Sequence, residues 1–220
     1  MIITIDGPAG AGKSTVARAL ARRLGFRYLD TGAMYRAVAL AGLRRGIDWN
    51  DAQALAELAQ QVRIEWDGQR VLLDGQDVTE AVRSSEVTRV TRYAADNPQV
   101  RAHLAQLQRA LADGHDVVTE GRDQGTVVFP DAACKFFLTA SPEERARRRA
   151  ADLAAQGEPV DLQRVREAID QRDREDATRP VGALVRAPDA IEVATDGRSV
   201  EEVVGYLAAV VESAARRKPA

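Results

Sequence analysis

The chain has 220 residues, 45% of them hydrophobic, which suffices for one domain with a sizeable core and makes a second independent domain unnecessary. Its 31 basic and 33 acidic residues give a net charge of −2, so the bulk charge points to neither nucleic acid nor an anionic membrane as a partner. A single cysteine, Cys134, excludes a disulfide within the chain, and no apolar run approaches the length of a membrane span. We expect a cytoplasmic monomer that binds no nucleic acid and no membrane.

The first segment combines a strand, a glycine-rich loop and the start of a helix. The apolar run IITID at 2–6 precedes GPAGAGKST at 7–15, which satisfies the complete phosphate-loop pattern. In that pattern the loop N–H groups surround a phosphate chain, the Lys13 ammonium contacts the outer phosphates and the Ser14 hydroxyl binds Mg²⁺. Apolar residues at helical spacing continue to Gly25, which places the positive end of a helix dipole at the same anion. The segment therefore predicts binding of a nucleoside triphosphate.

Five apolar runs are typical of buried parallel strands, and helical patterns separate them, which predicts a doubly wound α/β sheet. They lie at 2–6, 27–30, 116–120, 135–139 and 190–195. Ligands of such sheets bind beyond the carboxyl ends of the strands. Asp30-Thr31-Gly32 and the segment from Glu120 to Asp123 follow two of these ends. We therefore expect them at the same edge of the sheet as the phosphate loop.

Residues 62–79 interrupt the alternation of strands and helices. Asp-Gly pairs at 67–68 and 74–75 lie between short β-prone runs, which predicts a small inserted antiparallel meander. A helical stretch from about Glu80 to Leu111 is predicted to follow it. Near the end of the chain, Ser199 and Glu202 form a capping box that predicts the start of an amphipathic packing helix.

The arginines occur in local groups, which suits a site for several phosphates. At about 100° per residue, one helical stripe changes from apolar to charged without changing face, and its members are Leu162, Val165, Ile169, Arg172, Asp176 and Arg179. We expect its charged part to point inward, either towards a bound anion or into a structural ion-pair network. On another predicted helix Arg145, Arg148 and Arg149 share a face, as in a lid that closes on a triphosphate with its tip near 156–159.

A phosphate loop alone does not distinguish kinases from switches, motors and transporters. The chain lacks the Asn-Lys-x-Asp segment with which a GTPase reads guanine, and it lacks the size and basic face of a nucleic-acid motor. Two functions remain open for a chain with this phosphate loop and sheet, because proteins that share a fold act on different substrates. One is a kinase of the same fold that acts on UMP, AMP or a small metabolite, and the other is a slowly hydrolysing switch or partner-binding module.

Six segments together resemble the bacterial cytidylate kinases. They occur in the order and at the spacing of that family over nearly the whole chain, and they read GPAGAGKST, LDTGAMYR, NPQVR, EGRDQGTVVFPDA, ASPEERARRR and RDREDATRP. The resemblance implies a P-loop nucleoside-monophosphate-kinase fold that transfers the γ-phosphoryl group of ATP to CMP or dCMP with Mg²⁺. It also implies that the meander belongs to an enlarged monophosphate-binding region.

The resemblance further implies a role for individual residues. The residues that would bind ATP are Gly7, Pro8, Ala9, Gly10, Ala11, Gly12, Lys13, Ser14, Thr15, Arg145 and Arg149. The CMP phosphate would be held by Thr31, Arg36, Arg122 and Arg179, the ribose by Arg172 and Asp176, and the cytosine by Arg101 with Asp123, while Tyr35 completes the CMP set. The residues assigned to catalysis are Lys13, Arg122, Arg148, Arg172 and Arg179. Arg92 departs from the family, which commonly has a small hydroxyl residue near the base.

The predicted organisation is one kinase domain. Its core comprises 1–35, 102–145 and 180–220, its monophosphate-binding region is 36–101, and its lid is 146–179.

No general base is required, because the attacking oxygen of the monophosphate is already ionised near neutral pH. Before nucleotide binds, we expect Lys13 to face solvent.

Overall fold

The computed structural model describes residues 1–67, 70–155, 157 and 159–217. Its strands are β1 (Ile2–Asp6), β2 (Arg27–Asp30), β3 (Ile64–Trp66), β4 (Val71–Leu73), β5 (Gln76–Asp77), β6 (Val117–Gly121), β7 (Cys134–Thr139) and β8 (Ile191–Ala194). Its α-helices are α1 (Lys13–Leu24), α2 (Thr31–Arg45), α3 (Ala52–Gln61), α4 (Ser85–Asp96), α5 (Pro98–Ala112), α6 (Pro142–Ala155), α7 (Leu162–Thr178) and α8 (Val200–Arg217). A 3₁₀ turn spans Ala81–Arg83 and a π-helical turn spans Gln124–Val128.

The chain forms two compact units. The loop unit comprises Met1–Phe26 and Asp116–Ala220, and it contains the phosphate loop with α6 and α7. The middle unit is Arg27–His115, and it contains the small β-strands with α2 to α5. The three-part division into core, monophosphate-binding region and lid stays a prediction.

The main sheet has five strands in the order β2-β6-β1-β7-β8. Strand β1 pairs in parallel with β6, from Ile2 opposite Val117, and with β7, from Ile3 opposite Cys134. Most side chains on the central strands β1, β6 and β7 are buried, which explains why these strands appear in the sequence as largely apolar runs. The predicted α/β fold is confirmed, and the predicted strand ends differ from the observed ones by at most one residue.

The inserted meander is also confirmed. Strand β3 pairs antiparallel with β4, and β4 pairs antiparallel with β5. At the second turn Asp74 and Gly75 have φ values of 51° and 79°, the left-handed pair of a tight hairpin whose twist matches its strands. Of the first Asp-Gly pair, Gly68 lies outside the described residues.

The stretch predicted to be helical from about Glu80 to Leu111 contains the 3₁₀ turn and two α-helices, α4 and α5. The two helices are divided at Asn97, because Pro98 has no N–H for an intrahelical bond and its ring disfavours helical backbone in the preceding residue. Asn97 instead caps α5, since its Oδ1 accepts hydrogen bonds from the N–H groups of Gln99 at 3.0 Å and Val100 at 3.1 Å. Its Nδ2 donates to the Ala52 carbonyl at 2.7 Å. One side chain therefore ends α4, starts α5 and ties both to the start of α3.

The predicted capping box is present at the start of α8. The Ser199 N–H donates to Glu202 Oε2 at 2.8 Å, and the Glu202 N–H donates to Ser199 Oγ at 3.2 Å. Leu207 and Ala208 are completely buried, as expected for an amphipathic packing helix. None of the helices in the described ranges is long and apolar enough to cross a membrane.

We predict that Asn97→Ala lowers the free energy of unfolding by about 1 to 3 kcal/mol, because it removes a helix cap and leaves a carbonyl without its donor. Asn50→Ala is the matched control, since Asn50 is exposed and hydrogen-bonds to Asp48 within its own turn. Urea denaturation measures both variants. Equal losses would show that the Asn97 bonds add no stability beyond that of an exposed turn.

Candidate functional site

The phosphate loop turns sharply where β1 ends, and its backbone packs too closely for side chains. Gly7 has φ of 146°, and a Cβ at that position would lie 2.1 Å from the Leu138 carbonyl oxygen. Gly12, in left-handed conformation, is the N-cap residue of α1 and provides no side-chain cap. The N–H groups of the first turn of α1 therefore remain available to a ligand, and together with the helix dipole they form an anion site.

Lys13 does not face solvent, contrary to the expectation. It is 6% exposed, and its Nζ donates to the Pro8 carbonyl at 2.7 Å, across the loop. Burial is the main cause that lowers the pKa of Lys13 to about 7, and the charges of Arg122 and Arg172 lower it further, while Glu120 and Asp6 oppose the shift. An anion bound in the loop would favour the charged ammonium.

Ser14 and Glu120 bring two side-chain oxygen atoms together beside the loop. The Ser14 hydroxyl donates to Glu120 Oε1 at 2.8 Å, and Glu120 is buried at the end of β6. A hydroxyl and a carboxylate are the kind of ligands that Mg²⁺ takes from a protein when phosphates and water complete its shell. The residues present therefore fit a magnesium ion at this place.

Asp6 is a buried carboxylate that the sequence analysis missed. It accepts hydrogen bonds from the backbone N–H groups of Gln124 at 2.9 Å and Gly125 at 2.8 Å. Burial raises the pKa of Asp6 to about 6, and the two backbone bonds oppose that shift. The bonds hold the π-helical turn that follows Arg122 and Asp123. An acidic residue that ends a buried strand directly before a phosphate loop was the available signal.

Asp176 lies between two arginines. Its Oδ2 accepts from Arg122 Nε at 2.7 Å and its Oδ1 from Arg179 Nη2 at 2.6 Å, and the side chains of Asp176 and Arg179 are 7% and 6% exposed. Burial raises the pKa of Asp176, but the charges of Arg122, Arg172 and Arg179 outweigh it and hold that pKa below its usual value. The helical spacing correctly predicted that Asp176 and Arg179 point inward. One buried carboxylate therefore orients two guanidinium groups of the loop unit.

Two members of the predicted inward stripe are exposed. Leu162 is 54% exposed and Arg172 is exposed, whereas Ile169 between them is buried. Helical periodicity specifies which residues share a face, but not how far a neighbouring element covers that face. Arg172 still affects Lys13 and Asp176 through its charge.

The arginines of α6 differ in their contacts. Arg145 is buried, forms an ion pair with Asp173 and donates from Nη1 to the Ala9 carbonyl at 3.2 Å. Arg148 donates from Nη1 and Nη2 to the hydroxyl and carbonyl oxygens of Thr195, both at 2.9 Å. Arg149 is half-buried. Asp173 and Thr195 were not predicted, because no motif marks a residue that only orients an arginine.

At the predicted lid tip, Gly157 lies in a left-handed turn with φ of 75°. Gln156 and Glu158 lie outside the described residues.

The middle unit brings Tyr35 and Arg101 together. The Arg101 guanidinium lies over the Tyr35 ring, 5.3 Å from its centroid, and Arg101 Nη1 donates to the Ala95 carbonyl at 3.0 Å. Arg101 is 5% exposed, so this cation is held against an aromatic face with little contact with water. The arrangement fits recognition of a polar planar group.

Thr31 and Arg36 lie on α2, in the same unit. Thr31 is the first residue of the helix and is buried, and the preceding Asp30 caps the helix by accepting from the Ala33 N–H at 2.9 Å. Arg36 Nη1 donates to the Thr88 hydroxyl on α4 at 2.6 Å. A helix N-terminus and a guanidinium one turn later are suited to a phosphate.

Arg92 packs on Tyr93 within an aromatic stack. Its guanidinium lies 4.8 Å from the Tyr93 ring centroid and donates to the Tyr93 hydroxyl at 3.1 Å. The Tyr93 ring in turn stacks on Trp49, with 5.4 Å between centroids. This contact gives Arg92 a defined packing role in the middle unit.

The family model for cytidylate kinase matches residues 3–213. The chain belongs to the cytidylate kinase family. A cytidylate kinase from Rhodopirellula baltica is 55% identical over 203 residues, which cover 92% of this chain and 89% of that protein. A cytidylate kinase from Pelotomaculum thermopropionicum is 54% identical over 221 residues, which cover 98% of this chain and 97% of that protein. The resemblance seen in the six motifs is therefore confirmed.

A solved structure of shikimate kinase from Bacteroides thetaiotaomicron has the same fold. Its TM-score is 0.50 at 17% identity, and the match covers 96% of this chain and 98% of that one. At this identity the likeness concerns the fold alone.

We predict that the stability difference between wild type and Lys13→Met depends on pH. Between about pH 7 and the ordinary lysine pKa the folded state binds fewer protons than the unfolded state, so wild-type stability rises relative to the variant, by about 1 kcal/mol per pH unit. Urea denaturation at pH 7, 8 and 9 measures the difference. If the difference in unfolding free energy between wild type and Lys13→Met is the same at all three pH values, Lys13 stays charged in the folded protein.

Proposed function

We propose that this chain transfers the γ-phosphoryl group of ATP to CMP or dCMP, with Mg²⁺, by in-line displacement. The observation that carries the proposal is the convergence of Lys13, Arg122, Arg172 and Arg179 within the loop unit, with Asp176 holding two of the arginines. Such fixed cations stabilise a transferring phosphoryl group, whose charge spreads over its oxygens. Membership of the cytidylate kinase family supports CMP as the acceptor.

The donor site is proposed to comprise the phosphate loop and two arginines of α6. Backbone N–H groups from 7–15 would bind the phosphates of ATP, and Lys13 would leave the Pro8 carbonyl to contact them. Arg145 and Arg149 would contact the nucleotide, and Arg148, which Thr195 orients, would contact the transferring group. The lowered pKa of Lys13 supports this assignment, because an ammonium buried without an anion loses its charge readily.

The Ser14 hydroxyl would hold Mg²⁺, with Glu120 as the nearest carboxylate. When bound, the ion supplies charge neutralisation between the outer phosphates. Glu120 accepts a hydrogen bond from the Ser14 hydroxyl, which holds the two oxygen atoms close together.

The acceptor is proposed to bind to two sets of residues. In the loop unit Arg122 and Arg179 would hold the CMP phosphate, Arg172 and Asp176 the ribose, and Asp123 the exocyclic amino group of cytosine. In the middle unit Thr31 and Arg36 would contact the phosphate, and Arg101, packed on Tyr35, the base. The phosphate oxygen attacks without a general base, so positioning and charge neutralisation supply the catalysis.

The test is ATP consumption with each of CMP, dCMP, UMP and AMP in turn. We expect the kcat/KM values for CMP and dCMP to exceed those for UMP and AMP by at least about a hundredfold. Preference for UMP, AMP or a small metabolite would instead identify the alternative kinase of the same fold. ADP release that no acceptor stimulates would indicate a nucleotide-dependent switch.

Arg179→Ala is expected to lower kcat/KM for CMP at least about a hundredfold, because it removes a preorganised cation from the transferring group. Arg174→Ala is the matched control, since Arg174 lies on α7 with its side chain exposed, and we expect it to retain activity within about twofold. Initial rates and thermal unfolding separate the two effects. A large loss of stability with activity intact would show that the cluster is a structural ion-pair network.

Asp123→Asn is expected to narrow the ratio of kcat/KM values between CMP and UMP, mainly by loss of CMP activity. A carboxylate accepts from N4 of cytosine and repels O4 of uracil, and the mismatch is worth about 1 to 3 kcal/mol. Asp131→Asn serves as the control, because Asp131 is exposed in the segment that follows. If the variant loses CMP and UMP activity in equal proportion, Asp123 positions phosphate and does not read the base.

A further inference from the structure

We propose that Asp173 is a positioning residue for the donor nucleotide: it fixes Arg145 and the tip of the phosphate loop in the geometry that binds ATP. The proposal rests on the proposed function, in which the loop and Arg145 contact ATP. It adds a residue whose side chain would touch neither substrate.

The Asp173 carboxylate joins two parts of the proposed donor site. Its Oδ1 accepts from the Ala9 N–H at 3.1 Å, and its Oδ2 forms the ion pair with Arg145 Nη1. Arg145 Nη1 also donates to the Ala9 carbonyl at 3.2 Å. Ala9 is therefore held through both its N–H and its carbonyl, and the orientation of Arg145 is coupled to that of the loop.

Packing at this point leaves the loop tip little freedom. A Cβ on Gly10 would lie 3.0 Å from Arg145 Cβ, so the backbone of the loop contacts α6 directly. Arg145 Nε donates to the Ala140 carbonyl at 3.2 Å, which fixes the guanidinium from its other side. The side chains of Arg145 and Asp173 are 8% and 19% exposed, so water screens their ion pair only weakly. A shift of Asp173 would therefore move both the arginine and the loop.

Asp173 and Asp176 lie on the same helix, α7, but contact different arginines. The two carboxylates are three residues apart, so they project about 60° apart around the helix axis. Asp173 contacts the phosphate loop and Arg145, whereas Asp176 contacts Arg122 and Arg179. One helix thus orients the proposed donor arginine with one carboxylate and the proposed acceptor arginines with the other. A change at Asp173 should affect ATP far more than CMP.

The experiment compares Asp173→Asn and Asp173→Ala with wild type and with Asp170→Asn. Asp170 is the control, because it lies one turn earlier on α7 and contacts Arg166 at 3.9 Å with 39% of its side chain exposed. We expect Asp173→Ala to raise the KM for ATP by about tenfold or more, with the KM for CMP within about twofold of wild type, since a charge-assisted contact is lost only on the donor side. Asp173→Asn should have a smaller effect, because its amide oxygen can still accept from the Ala9 N–H. Asp170→Asn should match wild type.

The coupling to Arg145 is tested with Arg145→Met alone and combined with Asp173→Asn. If Asp173 acts through Arg145, the double variant has the same KM for ATP as Arg145→Met, within about twofold. Additive effects overturn the proposal, as do a lowered KM for ATP, equal rises in both KM values, or a fall in the unfolding temperature with both KM values unchanged. Calorimetric titration of each variant with ATP and Mg²⁺ gives the donor affinity without an acceptor. A wild type that binds ATP but does not phosphorylate CMP would refute the proposed acceptor and leave the Asp173 comparison intact.

Discussion

Mutual repulsion among cations is the constraint around which the loop unit is built. Lys13, Arg122, Arg172 and Arg179 affect one another or Asp176 electrostatically, and several of these groups have little contact with water. Cations in such a place remain charged and ordered only if carboxylates or a bound anion balance them. The buried carboxylates therefore determine where the arginines point.

Asp176 and Lys13 show how charged groups of the loop unit are held. Asp176 forms ion pairs with two arginines at once, Arg122 and Arg179. Lys13 Nζ donates to the Pro8 carbonyl oxygen, and burial together with the charges of Arg122 and Arg172 lowers the pKa of Lys13 to about 7 against the opposing carboxylates. A phosphate chain bound in the loop would add negative charge beside Lys13 and favour its ammonium form. Because burial lowers the pKa of Lys13, the charged lysine costs stability when no anion is bound.

Glycines and carboxylates both position the backbone around the phosphate loop, the glycines by allowing close packing and the carboxylates by hydrogen bonding. Gly7 allows the loop backbone to approach β7 more closely than any side chain would permit. Asp6 and Asp173 then hold the flanking segments with hydrogen bonds to backbone N–H groups, at the π-helical turn and at the loop tip. Backbone held in this way is rigid before substrate arrives, which reduces the reorganisation needed in the transition state.

The sequence by itself determined the strands, the phosphate loop, the meander and the family, because each depends on local pattern: apolar runs, glycines at required spacing, Asp-Gly turns and the order of six motifs. It also correctly predicted that Asp176 and Arg179 share an inward face. Only the tertiary structure decided that Lys13 is buried, that Arg172 and Leu162 are exposed, and that Asp6 holds the π-helical turn while Asp173 holds the phosphate loop. Burial and pairing depend on which distant segments pack against a residue, and periodicity along one helix or strand carries no information about those partners.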